Sequence, residues 1–272
     1  MEAPIIDDEL WILIEPLLPP AKLRAKSDPG RPRVSDRAAL NGILFVFKTG
    51  IRWNHLPTRL GFGSGATCWR RLSDWQKAGV WDQLHELLLD KLRAAGQIDL
   101  SYAAVDSSSV RAVGAGGKTG PNPTDRARPG SKHHIATDAN GTPIAAILTG
   151  ANRNDVTQLV PLIEAIVPIG GVRGRPLSRP GRVYADRGYD HDKYRRILHE
   201  RNIPTRIARR GHPHGSGLGK VRWVVERTHA WLHHFRRLRT RFERRADIHE
   251  AFLKLGCCLI CWNTLRRAQQ FL

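Results

Sequence analysis

The chain is 272 residues long, 41% hydrophobic, and carries 44 Lys and Arg against 25 Asp and Glu, a formal charge of +19. A chain of that size buries a full core, and none of its apolar runs approaches the ~18 residues needed to span a bilayer, so membrane-spanning classes are set aside. The positive excess points to a polyanionic partner, nucleic acid before a lipid surface.

The excess is uneven, with 14 basic and 11 acidic groups in residues 1–95 and 30 against 14 in the remainder. The polyanion is expected along the later part of the chain. The opening MEAPIIDDEL is acidic and lacks the pattern of a secretory signal, so a cytoplasmic, nucleoid-associated protein is expected. Of the four cysteines, Cys257, Cys258 and Cys261 crowd into CCLIC, too tightly for a disulfide framework. At helical spacing among apolar neighbours they read as small core residues, not zinc ligands.

Asp7 or Asp8 caps a first helix carrying Leu10, Trp11, Ile14, Leu17 and Leu18, stopped by Pro19-Pro20. A loop rich in Lys, Arg, Pro and Gly follows. Ser35 caps a second helix, with Ala39, Ile43, Val46 and Phe47 on its buried side and Gly50 at its end. After IRWNHLP, a third helix runs from about Gly65 to Ala78 and a fourth from about Val80 to Ala95. This all-α part is assigned to residues 1–97.

Residues 98–113 change character: IDLSYAAVDSSSV alternates and is β-branched, opening a second domain over 98–272. GAGGKTGPNPTDRARPGSK reads as a loop, and Asn140-Gly141 joins two strands of KHHIATDANGTPIAAILTG as a hairpin. Then come a helix capped by Asn154 or Asp155 and running to about Val167, a basic Pro/Gly loop over 170–180, and the strand GRVYAD ending at Asp186. A helix over 190–201, the strand IPTRIA, the stretch RRGHPHGSG and a long helix from about Leu218 complete the series. The order is βββαβαβα, that of a ribonuclease-H-like mixed sheet with flanking helices, an α/β domain preceded by the helical part.

Three acids stand out on this scaffold. Between Arg201 and Arg245 there are 13 Lys and Arg but only two acids, Glu226 and Glu243. Asp106 is expected to end the first strand and Asp186 the fourth, while Glu226 lies on the final long helix. Ligands gather where strands of an α/β sheet end, so the three can converge, and phosphodiester chemistry with two hard cations requires such carboxylates. On the long helix, Val221, Val225, Thr228, Leu232 and Phe235 form one stripe, and Arg222, Glu226, His229, His233 and Arg237 another. Spacing alone also allows a plainer reading, in which Glu226 merely pairs with Arg222 at i,i+4, Asp106 starts a turn and Asp186 closes a strand.

The strings AVDSSSV, TGPNPTDRARPGSKHH before IATDANGTP, YADRGYD with Gly188 and Tyr189, RWVVERTHAWLHHFRRL, and the earlier GRPRVSDRAALNGILFVFKTGIRWNHLP together resemble a bacterial insertion-sequence transposase of the DDE class, in the IS-five branch. The resemblance covers nearly the whole chain. It implies that Asp106, Asp186 and Glu226 are catalytic and bind two Mg²⁺ ions, with Mn²⁺ able to substitute. It also implies that the protein binds the double-stranded terminal inverted repeats, cleaves the ends and joins the 3′ hydroxyl to target DNA, as at least a homodimer in the working complex. The family's tyrosine-arginine-glutamate-lysine signature is matched at Arg222 and Glu226 but replaced by Gly219 and His233. A histidine in place of the lysine implies activity that falls at higher pH.

The helical amino-terminal part resembles the family's end-recognition segment, helix-turn-helix-like. Thr67, Arg70, Arg71 and Lys77 on the third helix are expected DNA contacts, with Trp69, Leu72 and Trp75 packing inward. Arg126, Arg128 and Lys132 in the basic loop, and Arg222, His229, His233, Arg236 and Arg237 along the last helix, complete the expected DNA-binding set. His133 and His134 either reach the site or pack in a strand. The alternative in another class is a non-catalytic DNA-binding protein that holds or represses the element's ends; a nuclease or resolvase without strand transfer is a third.

Overall fold

A computed structural model describes residues 5–21, 32–211 and 217–270. Most of the basic loop expected before Ser35, and HPHGS within RRGHPHGSG, lie outside the described residues.

The four early helices form where capping residues precede apolar stripes. In α1 (Asp8–Ile14) the Asp7 carboxylate accepts the Leu10 N–H at 2.8 Å, and a 3-10 turn over Glu15–Leu17 follows. Ser35 caps α2 (Asp36–Thr49) through the Ala38 N–H, and Gly50 ends it in the left-handed region at φ 74°. Ser64 caps α3 (Gly65–Lys77), which leads into α4 (Val80–Ala94). A Cβ on Gly65 would lie 1.7 Å from the Trp53 carbonyl oxygen, so this helix can begin against the Trp53 turn only with glycine.

The sheet begins with β1 (Ala103–Ala112), then the short β2 (Gly120–Pro121), β3 (Pro129–Thr137) and β4 (Pro143–Gly150). The hairpin between β3 and β4 turns at Gly141, φ 87°, and Asp138 ties it down by accepting the N–H groups of Asp99, Asn140 and Thr142. A 3-10 turn capped by Asn154 leads into α5 (Leu159–Glu164), which stops short of the expected Val167. β5 (Val183–Ala185), α6 (Asp192–Glu200), β6 (Thr205–Ile207) and α7 (Gly219–His233) follow. The spatial order is β4-β3-β1-β5-β6, with β1, β3 and β4 antiparallel and β5 and β6 parallel to β1. This is the ribonuclease-H-like mixed sheet.

Asp106 does not end β1. It is the fourth residue of a ten-residue strand, because β3 continues pairing to Arg111 and a further strand, β7 (Thr240–Arg241), adds in parallel beyond it. The chain reaches β7 through α8 (Arg236–Arg239), which the strand-and-helix pattern did not announce, and then forms α9 (Ala246–Gln270), the helix on which the spacing of Cys257 and Cys261 placed them.

Helix α9 packs against α3 and α4 on one side and β4, α7 and α8 on the other. Phe47 of α2 stacks between Phe235 and Phe252, with centroids at 4.3 and 5.0 Å, so the early helices and the late ones share one core. Cys257, Cys258 and Cys261 are buried free thiols on α9, and the Cys258 thiol donates to the Trp81 carbonyl. They fill space between helices. Among the described residues no helix is long and apolar enough to cross a membrane.

Candidate active site

Strands β1 and β5 pair in parallel, with Ala103 beside Val183 and Ala104 beside Tyr184. Asp186 follows the end of β5 as the cap of the next 3-10 turn, near enough for its charge to act on Asp106. Each aspartate commits one oxygen to the backbone: Asp106 Oδ1 accepts the Ser107 N–H and Asp186 Oδ1 accepts the Gly188 N–H, both at 2.9 Å. The second bond needs glycine, since a Cβ at position 188 would lie 2.9 Å from Asp186 Oδ1.

Helix α7 brings Glu226 over this pair. Arg222 Nη2 lies 3.8 Å from Asp106 Oδ2 and 3.7 Å from Glu226 Oε1. Both distances start from one nitrogen, so the two oxygens are at most ~7.5 Å apart, a gap that two cations about 4 Å apart with ligand bonds of about 2.1 Å can span. The plain i,i+4 pair is therefore present, yet the same guanidinium also reaches β1. Glu226 remains 58% exposed at its side chain, against 21% for Asp106.

Burial raises the Asp106 carboxyl to about 6; the Ser107 N–H and Arg222 oppose the rise, and Asp186 and Glu226 add to it. Tyr189, 1% exposed, closes the floor beside Ser107, its phenol pushed well up by burial and by the neighbouring acids Asp155, Asp106 and Asp186. His229 is also buried, at 6%. Burial and His233 bring it down to about 4, against the contact with the Asp106 backbone carbonyl.

The expected DNA contacts divide. Arg70, Lys77, Arg126, Arg128 and Arg236 are exposed, and Thr67 is half-buried beside the capping Ser64. Arg126 and Ala127 sit at the loop tip in the left-handed region, φ 49° and 56°. Arg71 is instead held by Asp36 at 3.2 Å. Three expectations are corrected. Lys132 turns back to Asp155 and the Arg153 carbonyl, both at 2.8 Å. His229 belongs to the buried side of α7. Arg237 is 3% exposed and paired with Glu243 at 2.6 Å. On α3, Leu72 and Trp75 are buried as expected, while Trp69 is half-buried with the Arg245 guanidinium 5.1 Å from its ring.

His233, at the lysine position of the signature, contacts Ser108 Oγ at 3.4 Å. Burial and then Arg239 lower its pKa, so the fold favours its neutral form, against the protonated histidine that a decline of activity at higher pH would need. His133 and His134 are fully buried in β3, the first against His249 and the second against Thr149. Sequence reading missed His249 and Glu243, which no local motif links to β3.

Among the described residues no three His, Cys, Asp or Glu side chains stand close enough, as they are, to hold a metal ion. Asp106 and Asp186 nonetheless fit one, being adjacent hard-oxygen donors. The raised Asp106 pKa records chiefly the burial of its charge, with Asp186 and Glu226 adding to it despite Arg222, and a divalent cation bound there would offset that cost. Glu226, 3.7 Å from Arg222, would have to turn away from it to join the two aspartates.

Two stretches of the chain match family models. Residues 6–85 match the family model described as "Putative transposase of IS4/5 family" and residues 99–263 that described as "Transposase DDE domain". The chain is 79% identical over 155 residues to the "Putative transposase for insertion sequence element IS402" of Burkholderia cepacia, covering 57% of this chain and 74% of that protein. It is 72% identical over 123 residues to an "Insertion element IS402 uncharacterized 16.2 kDa protein" of the same organism, covering 45% and 84%. The "Transposase for insertion sequence element IS1106" of Neisseria meningitidis serogroup B is 32% identical over 114 residues, 38% of this chain and 36% of that protein. A family match running from β1 through most of α9 is a match to the whole sheet and the helix that carries Glu226, and on it the chain belongs to the transposases with a DDE domain.

Proposed function

We propose that this protein binds the terminal inverted repeats of an insertion sequence, cleaves the DNA at those ends and joins the freed 3′ hydroxyl to target DNA, using two Mg²⁺ ions. The observation that carries the reading is the shared guanidinium: one Arg222 nitrogen faces both Asp106 and Glu226, and the Asp186 charge acts on Asp106. Divalent ions bound there would lower the pKa of the attacking water or hydroxyl and offset charge on the leaving oxygen. Asp106 and Asp186 supply the fixed oxygens, held by the Ser107 and Gly188 N–H groups. Glu226, on an exposed side chain, completes the set, while Arg222 is then released to a phosphate oxygen.

Exposed Arg70 and Lys77 on α3 and Arg126 and Arg128 at the β2–β3 tip are proposed to contact backbone phosphates. Two ends must meet for joining, so a homodimer is the proposed working complex. The test is a labelled inverted-repeat duplex with Mg²⁺ or Mn²⁺. Asp106→Ala, Asp186→Ala and Glu226→Ala should each end cleavage and leave end binding intact. Full cleavage by any of the three refutes the reading; band-shift without any cutting by the unmodified protein supports a non-catalytic end-binding protein.

A further inference from the structure

A buried polar chain runs behind the catalytic strand. Glu243, between β7 and α9, is 7% exposed and receives Arg237 Nη1 on Oε1 at 2.6 Å. The same guanidinium donates to the Ile51 carbonyl, in the turn after α2. The other Glu243 oxygen faces His249 Nδ1 at 3.7 Å, and His249 Nε2 lies 2.8 Å from His133 Nε2. His133 and His249 are both 0% exposed. His133 stands opposite Ser108 in the β1–β3 ladder, two residues along the same face from Asp106, and Ser108 Oγ contacts His233 of α7.

Proton counting fixes the state of this chain. Only one proton can lie between the two Nε2 atoms, and a carboxylate accepts only. Burial works against the charge on Glu243, but His249 and Arg237 hold its pKa below the ordinary value, so it is ionised. Glu243 Oε2, 3.7 Å from His249 Nδ1, is beyond hydrogen-bond length, but its negative charge favours the His249 proton at Nδ1, which leaves His249 Nε2 as the acceptor and His133 as the Nε2–H donor at 2.8 Å. Arg241, 0% exposed, holds the Glu243 backbone carbonyl at 2.9 Å and Ser131 Oγ at 2.6 Å, and Arg237 holds the carboxylate itself.

We propose that Glu243 is a positioning residue for the cleavage reaction: through His249 and His133 it fixes β3 against the Ser108 side of the catalytic strand, and through Arg237 it ties that strand to the turn after α2 in the end-recognition helices. The chain touches no substrate. It sets where β1 and the His233 end of α7 stand when an end is bound. The functional part rests on the cleavage reading above; the tautomer does not.

The test pairs two readouts on the full-length protein. Nitrogen-15 NMR reports the His249 tautomer, and single-turnover cleavage of saturating inverted-repeat DNA reports the rate alongside end affinity. In the unmodified protein His249 should be the Nδ1–H tautomer. Glu243→Gln should shift it toward Nε2–H and slow cleavage by about 10–100-fold, the range for outer partners that orient a site histidine, with end affinity unchanged and Glu243→Asp restoring part of the rate. If Glu243→Gln does not fold, the paired Arg237→Met/Glu243→Leu variant removes both buried charges together and is read in the same two ways. An Nε2–H His249 in the unmodified protein, or a variant that changes the tautomer but cleaves at the original rate, overturns the proposal. Absence of cleavage by the unmodified protein overturns the cleavage reading and the positioning role, while the NMR arm still decides the hydrogen-bonded chain.

Discussion

Replacing Asp106 by Asn should make the metal-free protein more stable while ending its chemistry. The Asp106 carboxyl lies at about 6 against an ordinary 3.8, chiefly through burial, so the folded state favours the neutral form. A shift of that size corresponds to about 3 kcal/mol, at 1.36 kcal/mol per unit. The sign follows from linkage: the contribution that neutral Asp106 makes to stability is complete below pH 3.8 and is lost as pH rises through about 6. At pH 8, with EDTA present, Asp106→Asn should therefore exceed the unmodified protein by up to about 3 kcal/mol, or roughly 6–12 °C in Tm for a chain of this size. At pH 4 the difference should shrink below about 1 kcal/mol. Urea melts at pH 4, 6 and 8 measure it, and added Mg²⁺ should close the gap at pH 8, because the cation stabilises only the protein that binds it. A variant that is equally or less stable at pH 8, or a difference that does not change with pH, would refute the reasoning that Asp106 carries uncompensated charge.

Arg126→Ala should weaken binding to DNA of any sequence and reduce the salt slope by about 1, whereas Lys132→Ala should leave the slope unchanged and cost about 1–2 kcal/mol of stability through the lost Asp155 and Arg153 contacts. Salt titrations of end binding beside denaturant melts separate the two. His233 is lowered by burial and Arg239, so the ratio of unmodified to His233→Gln cleavage rates should stay constant from pH 6.5 to 9; a ratio falling across that range would restore a protonated His233. Gly65→Ala should destabilise by about 3 kcal/mol or more, because its Cβ would meet the Trp53 carbonyl 1.7 Å away, and a melt within about 0.5 kcal/mol of the original would place the α3 start elsewhere.

The helix starts were legible because caps are local: Asp7, Ser35 and Ser64 each bond an N–H within three residues. The three acids were legible as types at intervals, but the parallel pairing of β1 with β5, and the packing of α7 on β1 that puts Arg222 between Asp106 and Glu226, are encoded by no local pattern. Asp106 was misjudged as a strand end because the partners that prolong β1, Gly130 and Thr240, are distant in sequence. His229 was assigned to the exposed stripe of α7 for a related reason. That helix is covered by β1 and β3 and also by α9, so its buried arc is wider than the one apolar stripe expected of a surface helix. Arg237 and Lys132 show the limit of reading charge as surface. Each ends on a carboxylate that lies six residues away in one case and 23 in the other, and only the fold says that both turn inward.

The claim on which the rest stands is that Asp186 is a metal ligand beside Asp106, and a thiolate substitution tests it most directly. Asp186→Cys should lose cleavage of inverted-repeat DNA in Mg²⁺, a hard ion that thiolate binds poorly, and regain it in Mn²⁺, which accepts sulfur more readily. Asp190→Cys, whose carboxylate is engaged by Arg195, should show no such metal switch. Cleavage by Asp186→Cys that is undiminished in Mg²⁺, or lost alike in both ions, would contradict the account.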